Sequence, residues 1–304
     1  MSIPSSIDAL WVPVARRFAR HHAAIAGAVA LGVLVVAALA APLIVSALGL
    51  DPAATDLAQR FQPPSAAHLM GTDELGRDVL ARLLFGARVS LAVGFAAALA
   101  TAILGTVIGL AAGYFGGRLD AVLMRFTDGV IALPLLPLLI VLAAVDPEKL
   151  GLPRAFAEAE TASLYRVIVI VALLGWTTVA RLVRAAALSL RERPFVLAAR
   201  AQGADPARIM RVHVLPNLAS PIIVATTLSA GHVILLESVL SFLGLGIQPP
   251  TPSWGNLLAN AQELVWSAPA LAVYPGLLIF VTVVAFNFVG DGLQDALDPR
   301  ETRA

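Results

Sequence analysis

The amino-acid sequence predicts an all-α membrane protein with six transmembrane helices and a short helix-forming loop between the fourth and fifth. Three observations carry that prediction. Of 304 residues, 59% are hydrophobic and 13% charged, about half the roughly 25% charge of a soluble domain, and mean hydropathy is +0.84. Long stretches are free of charge, and each approaches the ~20 residues that a helix rising ~1.5 Å per residue needs to cross a ~30 Å hydrocarbon layer. Basic residues concentrate in alternate connections between those stretches, as expected when one membrane face retains them.

The elements follow in chain order. Residues 1–22 form the N-terminal segment, and residues 23–47 the first span, since nothing from Ala23 to Leu50 is charged or histidine. Arg16, Arg17 and Arg20 followed by Ala38-Leu39-Ala40 imitate a secretory leader. The apolar run is far longer than the ~7–15 residues of a leader's core, so it is expected to be a retained anchor. Residues 48–88 make a loop on the opposite side. There Thr72 or Asp73 is expected to cap an amphipathic helix through Val79, Leu80, Leu83 and Leu84 that lies along the membrane surface. Asp73, Glu74 and Asp78 surround Arg77 and no second ligand cluster appears, so no metal site is expected.

The second span, 89–117, carries Gly105, Gly109 and Gly113, two overlapping GxxxG patterns that predict a close-packing face. The third, 119–145, contains Pro134 and Pro137, which predict a bend. The connection 146–162, with Glu148, Glu158 and Glu160, shows no motif. The fourth span covers 162–187, the fifth runs from Pro216 to Leu243, and the sixth covers 264–290, so that residues 89–292 form a five-helix core and 293–304 a C-terminal tail. Only His232 and Glu237 are ionisable well inside a span. Such groups are candidate functional sites because of the energy needed to bury them. Five residues apart, they do not share a helix face, and Glu237 is expected to be a packed, hydrogen-bonded residue.

Orientation follows from the basic residues. Of the 21, seven (Arg60, Arg77, Arg82, Arg88, Lys149, Arg154, Arg166) fall on one side and the rest on the other, which places both termini in the cytoplasm. A net charge of +1 without basic patches argues against a nucleic-acid partner. The absence of cysteine excludes disulfides and thiolate chemistry. The sole lysine, Lys149, stands between Glu148 and Leu150, so no phosphate-binding P-loop exists. No paired catalytic constellation appears, and no cofactor is expected.

The loop from Arg191 to Asn217 is the most informative segment. Phe195 to Gln202 reads as a short helix stopped by Gly203; Asp205 and Pro206 then start another as N-cap and first residue. The result is a helix–turn–helix with an apolar stripe, ending where Pro216 opens the fifth span. Leu197-Ala198-Ala199, three residues, Gly203, nine residues, His213, Val214 and Leu215-Pro216 resembles the EAA loop of ABC importer permeases. The usual glutamate is replaced by Leu197. The segments HLMGTDELGRDVLARLLFGARVS (68–90) and SFLGLGIQPPTPSWGNL (241–257) are similar to the dipeptide, oligopeptide and nickel importer class, nearest its C-type permease. The resemblance covers nearly the whole chain.

The resemblance implies a type I ABC importer-like fold in a bacterial cytoplasmic membrane. It implies a heterodimer with a homologous permease, two ATP-binding cassette ATPase subunits and an extracytoplasmic solute-binding protein. Residues 195–215 would be the coupling helix, with Gly203 permitting the turn and Ala198 and Ala199 allowing close approach. Peptides, nickel chelates and other small solutes all remain open as cargo, and no substrate-binding residue is assigned. A secondary carrier or channel acting without an ATPase is the rival reading.

Overall fold

The fold, taken from a computed structural model, is described for residues 14–145, 147–150, 153, 161–259 and 261–297. Helix α1 (His22–Ala47) starts where the His21 imidazole accepts the Ala24 N–H at 3.1 Å. Val29, Val33, Val36, Leu39 and Leu43 point outward, whereas Ala24, Gly27, Ala38 and Ala41 face the bundle. Large residues outside and small ones inside is the arrangement a lipid solvent favours. Hydrocarbon tails receive a leucine as well as another leucine does, so helices close through short side chains.

Helix α2 (Val79–Phe115) corrects the expectation of a surface helix before the second span. Residues 79–88 are the first turns of one 37-residue helix, with Val79, Ala81 and Leu83 buried. At ~1.5 Å per residue it is roughly 55 Å long. Neither Thr72 nor Asp73 caps it. Asp78 does, accepting the Ala81 N–H at 2.8 Å. Asp73 instead accepts the backbone N–H groups of Leu75 and Arg77 and the guanidinium groups of Arg77 and Arg82 at 2.7 and 3.0 Å. Thr72 Oγ1 accepts the Gln62 N–H and donates to the Gln59 carbonyl. His68 lies between Asp78 and Gln59, at 2.9 and 2.7 Å. These contacts fold the 56–78 connection against the start of α2.

The third span is two helices, α3 (Gly117–Ala132) and α4 (Leu135–Ala144), meeting at 88°. Pro134 causes the break. Leu133 before it is extended, at ψ 139°, the conformation a following proline favours. Pro137 falls in the first turn of α4, where a missing N–H costs little. Helix α5 (Ala162–Arg191) follows, then α6 (Pro194–Ala201), α7 (Ala219–Phe242) and α8 (Ala270–Leu297). The sixth span thus lies at 270–297 rather than 264–290. Among the described residues five helices are long and apolar enough to cross a membrane, or six when α3 and α4 count as one, and no strand forms. Glu158, Glu160 and the segments 1–13 and 298–304 fall outside the described residues.

Backbone proximity sets the packing. A Cβ on Gly105 would sit 2.7 Å from the Trp176 carbonyl oxygen; on Gly109, 2.4 Å from that of Ala180; on Gly113, 2.7 Å from that of Arg184. The three glycines let α2 lie directly on α5. Helices α1 and α8 meet through Gly27, whose Cβ would be 2.7 Å from the Ala285 carbonyl, and through Gly292 against Ala24. Where larger residues are admitted, they fill a core of Val93, Leu139, Val167, Val171, Val233 and Leu240 between α2, α4, α5 and α7.

One polar cluster interrupts this apolar interior. Glu237 is fully buried and accepts from Ser90 at 3.2 Å and Ser241 at 2.7 Å. Ser90 Oγ in turn accepts the Trp254 backbone N–H, and Ser241 Oγ accepts that of Ile247. Trp254 donates its indole N–H to the Leu83 carbonyl at 3.1 Å. The connection 243–259 is thereby locked over the ends of α2 and α7. A buried carboxyl group is tolerated here because its hydrogen-bonding capacity is met.

Two outcomes follow. Gly109→Val is expected to lower stability by about 1–3 kcal/mol or more, since its neighbours are backbone atoms that cannot rotate away. Gly32→Val on α1 meets nothing within 4 Å and is expected to be neutral; thermal unfolding of the detergent-solubilised protein compares the two. Glu237→Leu orphans the Ser90 and Ser241 hydroxyls and is expected to cost about 1–3 kcal/mol per orphaned group. Glu237→Gln, whose amide oxygen accepts from one serine while its NH2 can donate to the oxygen of the other, is expected to retain most of the stability in the same assay.

Candidate functional site

The site centres on residues 191–218, an elbow joining α5 to α7. Its turn chemistry is complete. At the end of α6, Gly203 adopts φ +80° and donates its N–H to the Arg200 carbonyl, while Ala204 N–H reaches back to Ala199. These two bonds are the Schellman closure of a helix C-terminus. A Cβ on Gly203 would meet nothing within 4 Å, so glycine is required there by backbone conformation and not by crowding. Asp205 then caps the next turn, accepting the Ala207 N–H at 3.0 Å, with Pro206 in the first helical position.

Pro216 does not begin a new span. Helical backbone continues from Pro206 to Phe242, by a π-helical stretch over Ile209–Val214 and a 3-10 turn over Leu215–Leu218. A proline interrupts the regular ladder because it has no N–H and crowds the preceding turn. The chain meets this by widening, with Leu215 N–H bonding to the Met210 carbonyl, then tightening. His213 and Leu215 are half-buried, and Pro216 is exposed.

The elbow has two faces. Val196, Ala199, Ile209, Val214 and Leu218 are buried and pack with Tyr114, Val183 and Ala187 from α2 and α5. Leu197, Ala198 and Ala201 occupy the opposite side of α6 and are exposed, Leu197 by 44%. Ala198 and Ala199, paired by sequence as two small residues for close approach, are therefore divided: Ala199 is covered by the chain's own bundle. The apolar stripe is divided in the same way, with Phe195, Leu197 and Val212 exposed.

Charged residues brace this assembly in ways the sequence did not reveal. The Arg184 guanidinium engages both oxygens of Asp120, and Arg181 reaches Asp128, so α3 is tied to α5. Arg191 donates to the Gly113 carbonyl at 3.4 Å, and the Arg200 guanidinium lies 5.6 Å from the centre of the Tyr114 ring. The elbow is thus held at both ends of α6 to the terminus of α2.

Above the elbow a cavity of about 660 Å³ opens between α2, α3, α4, α5, α7 and the end of α8, with Leu139, Val171, Leu236 and Thr101 on its walls. His232 lines it and is exposed. His232 and Glu237 do point different ways, one into the cavity and one into the packed interior. Among the described residues no group of three histidine or acidic side chains converges to hold a metal.

Comparison with known proteins agrees with this architecture. Residues 105–303 match the family described as binding-protein-dependent transport system inner membrane component, and residues 9–64 match the N-terminal transmembrane domain of oligopeptide transport permease C. The chain is 39% identical over 290 residues to the dipeptide transport system permease protein of Alkalihalophilus pseudofirmus, covering 95% of this chain and 90% of that protein. It is 35% identical to the oligopeptide transport system permease protein of Bacillus subtilis, with 96% and 90% covered. To the nickel transport system permease protein of Escherichia coli it is 40% identical, with 89% and 94% covered. This chain belongs to the family of binding-protein-dependent transport system inner membrane components.

Proposed function

We propose that the chain is one of two permease subunits in an ATP-driven importer of the bacterial cytoplasmic membrane, and that it carries peptides or a related small solute. The observation that carries this reading is the elbow. It is an ordered, capped turn anchored on one face and apolar on the other, in the most arginine-rich segment of the chain. An exposed apolar face on an ordered element marks a docking surface, and the bias of arginines between the two membrane faces supports a cytoplasmic position for it and for both termini.

The partners are a homologous permease, two ATPase subunits that receive α6, and a solute-binding protein outside. Leu197, Ala198, Gly203, His213, Leu215 and Pro216 form the coupling element, with Ala199 as its anchor. Leu197, in the position usually held by glutamate, makes an apolar contact in place of a charged one. ATP hydrolysis belongs to the partner, since this chain has no P-loop lysine. When the ATPases draw α6, the pull reaches α5 through residues 191–193 and α7 through the unbroken helical path from Pro206. The glycine contact between α2 and α5 makes those helices move together, and α7 moves against them. The cavity lies at that moving boundary, where alternating access requires it. The cargo class rests on the peptide permeases among the relatives.

Reconstitution of the complete transporter tests the reading. ATP-dependent peptide uptake that disappears when the ATPases are omitted is the expected result; uptake driven by an ion gradient through this chain alone would contradict it. Gly203→Val forces a β-branched residue into the left-handed region at a cost of about 1–2 kcal/mol, and it is expected to reduce ATP-driven uptake by roughly tenfold. Gly203→Asn, which tolerates that conformation, is expected to retain most uptake.

A further inference from the structure

His232 stands close to the midpoint of α7, the depth at which a polar side chain is hardest to accommodate. It is exposed into the 660 Å³ cavity and has no hydrogen-bonding role in the packing of the bundle comparable to that of Glu237. Thr101, near the middle of the uncharged run on α2, lines the same cavity. Thr101 is 1% exposed and its hydroxyl has no hydrogen-bond partner. Ser229, one turn before His232, Thr177 and Thr178 on α5 and Gln294 on α8 add further polar groups. The other walls are largely aliphatic. Among the described lining residues the ionisable ones are His232 and Arg181, and none is acidic. Arg181 is paired with Asp128, which does not line the cavity.

A mostly apolar cavity of a few hundred Å³ with a few convergent polar groups is the form of a small-molecule site. The charge pattern narrows the ligand. A bare metal cation finds no carboxylate here, whereas a carboxylate finds an imidazole N–H and a nearby guanidinium. We propose that this cavity is the mid-membrane station of the transport path, and that His232 donates a hydrogen bond there to the carboxylate of a small solute such as a peptide. This deepens the importer reading above and rests on it.

The test uses the complete transporter with alanyl-alanine as the probe. His232→Leu is expected to lower the maximal rate of ATP-driven uptake at least tenfold. His232→Gln restores an N–H donor and is expected to recover most of it, a rescue that a merely space-filling role would not show. Unchanged uptake in His232→Leu, or equal losses in both variants with the complex intact by co-purification, would overturn the proposal.

A second readout needs no solute, since this chain has no cysteine of its own. In a tagged His232→Cys variant within the assembled complex, labelling by an anionic thiosulfonate is expected to exceed that by a cationic one, after scaling to their rates with free cysteine. Val33→Cys on the outward face of α1 should resist both. An inert His232→Cys, or one favouring the cationic reagent, would overturn the proposal. Absence of ATP-driven alanyl-alanine uptake by the wild type would instead count against the importer of peptides, with the labelling result still deciding the role of the cavity.

Discussion

The contact on which the structure turns is backbone against backbone. Gly105, Gly109 and Gly113 bring α2 onto α5 so closely that a single added carbon at any of them would collide with a carbonyl oxygen. In water such a contact would be one among many, supported by the exclusion of solvent from large side chains. In a bilayer that driving force is absent, and association depends on how many atoms can touch. The glycine face is therefore what lets α2 and α5 pack backbone to backbone, and the other helices are arranged around that pair. Helix α7 packs against this pair through larger side chains, with Ile234 close to Gly94 and a buried carboxyl cluster at its far end.

The elbow is the consequence of that division. It connects α5, which meets α2 along the glycine face, with α7, which meets α2 through larger side chains and the Glu237 cluster. Its inner face is seated on the terminus of α2 by Val196, Ala199 and Ile209, with Arg191 and Arg200 as polar braces. Pro216 lies at the end of the elbow next to α7, and the π and 3-10 turns around it replace the even ladder of an α-helix. Irregular helical hydrogen bonding is where a rod changes direction most readily. In the proposed coupling, a displacement applied to α6 would be conveyed through this jointed rod toward His232, while the Glu237 cluster keeps the opposite end of α7 tied to α2 and to the connection over it.

Much of this architecture was legible in the sequence because lipid imposes simple demands. Uncharged runs gave the spans, and the order Gly203, Asp205, Pro206 gave a helix stop and restart that the backbone adopts. Spacing of Gly105, Gly109 and Gly113 placed them on one face, though not against which helix. What was hidden depended on tertiary partners. Leu80 and Leu84 have the periodicity of a surface helix, but α2 continues through them because Asp78 supplies a cap and Trp254 covers Gly86. Pro134 announced a bend, but neither its 88° size nor the ties of α3 to Arg184 and Arg181 could be read from the chain. Ser90 and Trp254 gave no signal, since their role exists only when residues far apart in the chain meet around Glu237. Thr101 is likewise one threonine among many until its hydroxyl is found without a partner beside a cavity.

The central claim is that the outward face of α6 rests on an ATPase in the cytoplasm and passes its movement to α7. Ala201 lies on that face and is exposed, and a cysteine placed there is unique in this chain. In the assembled transporter, Ala201→Cys carrying a short photocrosslinker should join to the ATPase subunit, with a yield that changes between the ATP-bound and nucleotide-free states. Labelling of that same cysteine from outside intact cells by a membrane-impermeant reagent, with no crosslink to the ATPase, would contradict the account.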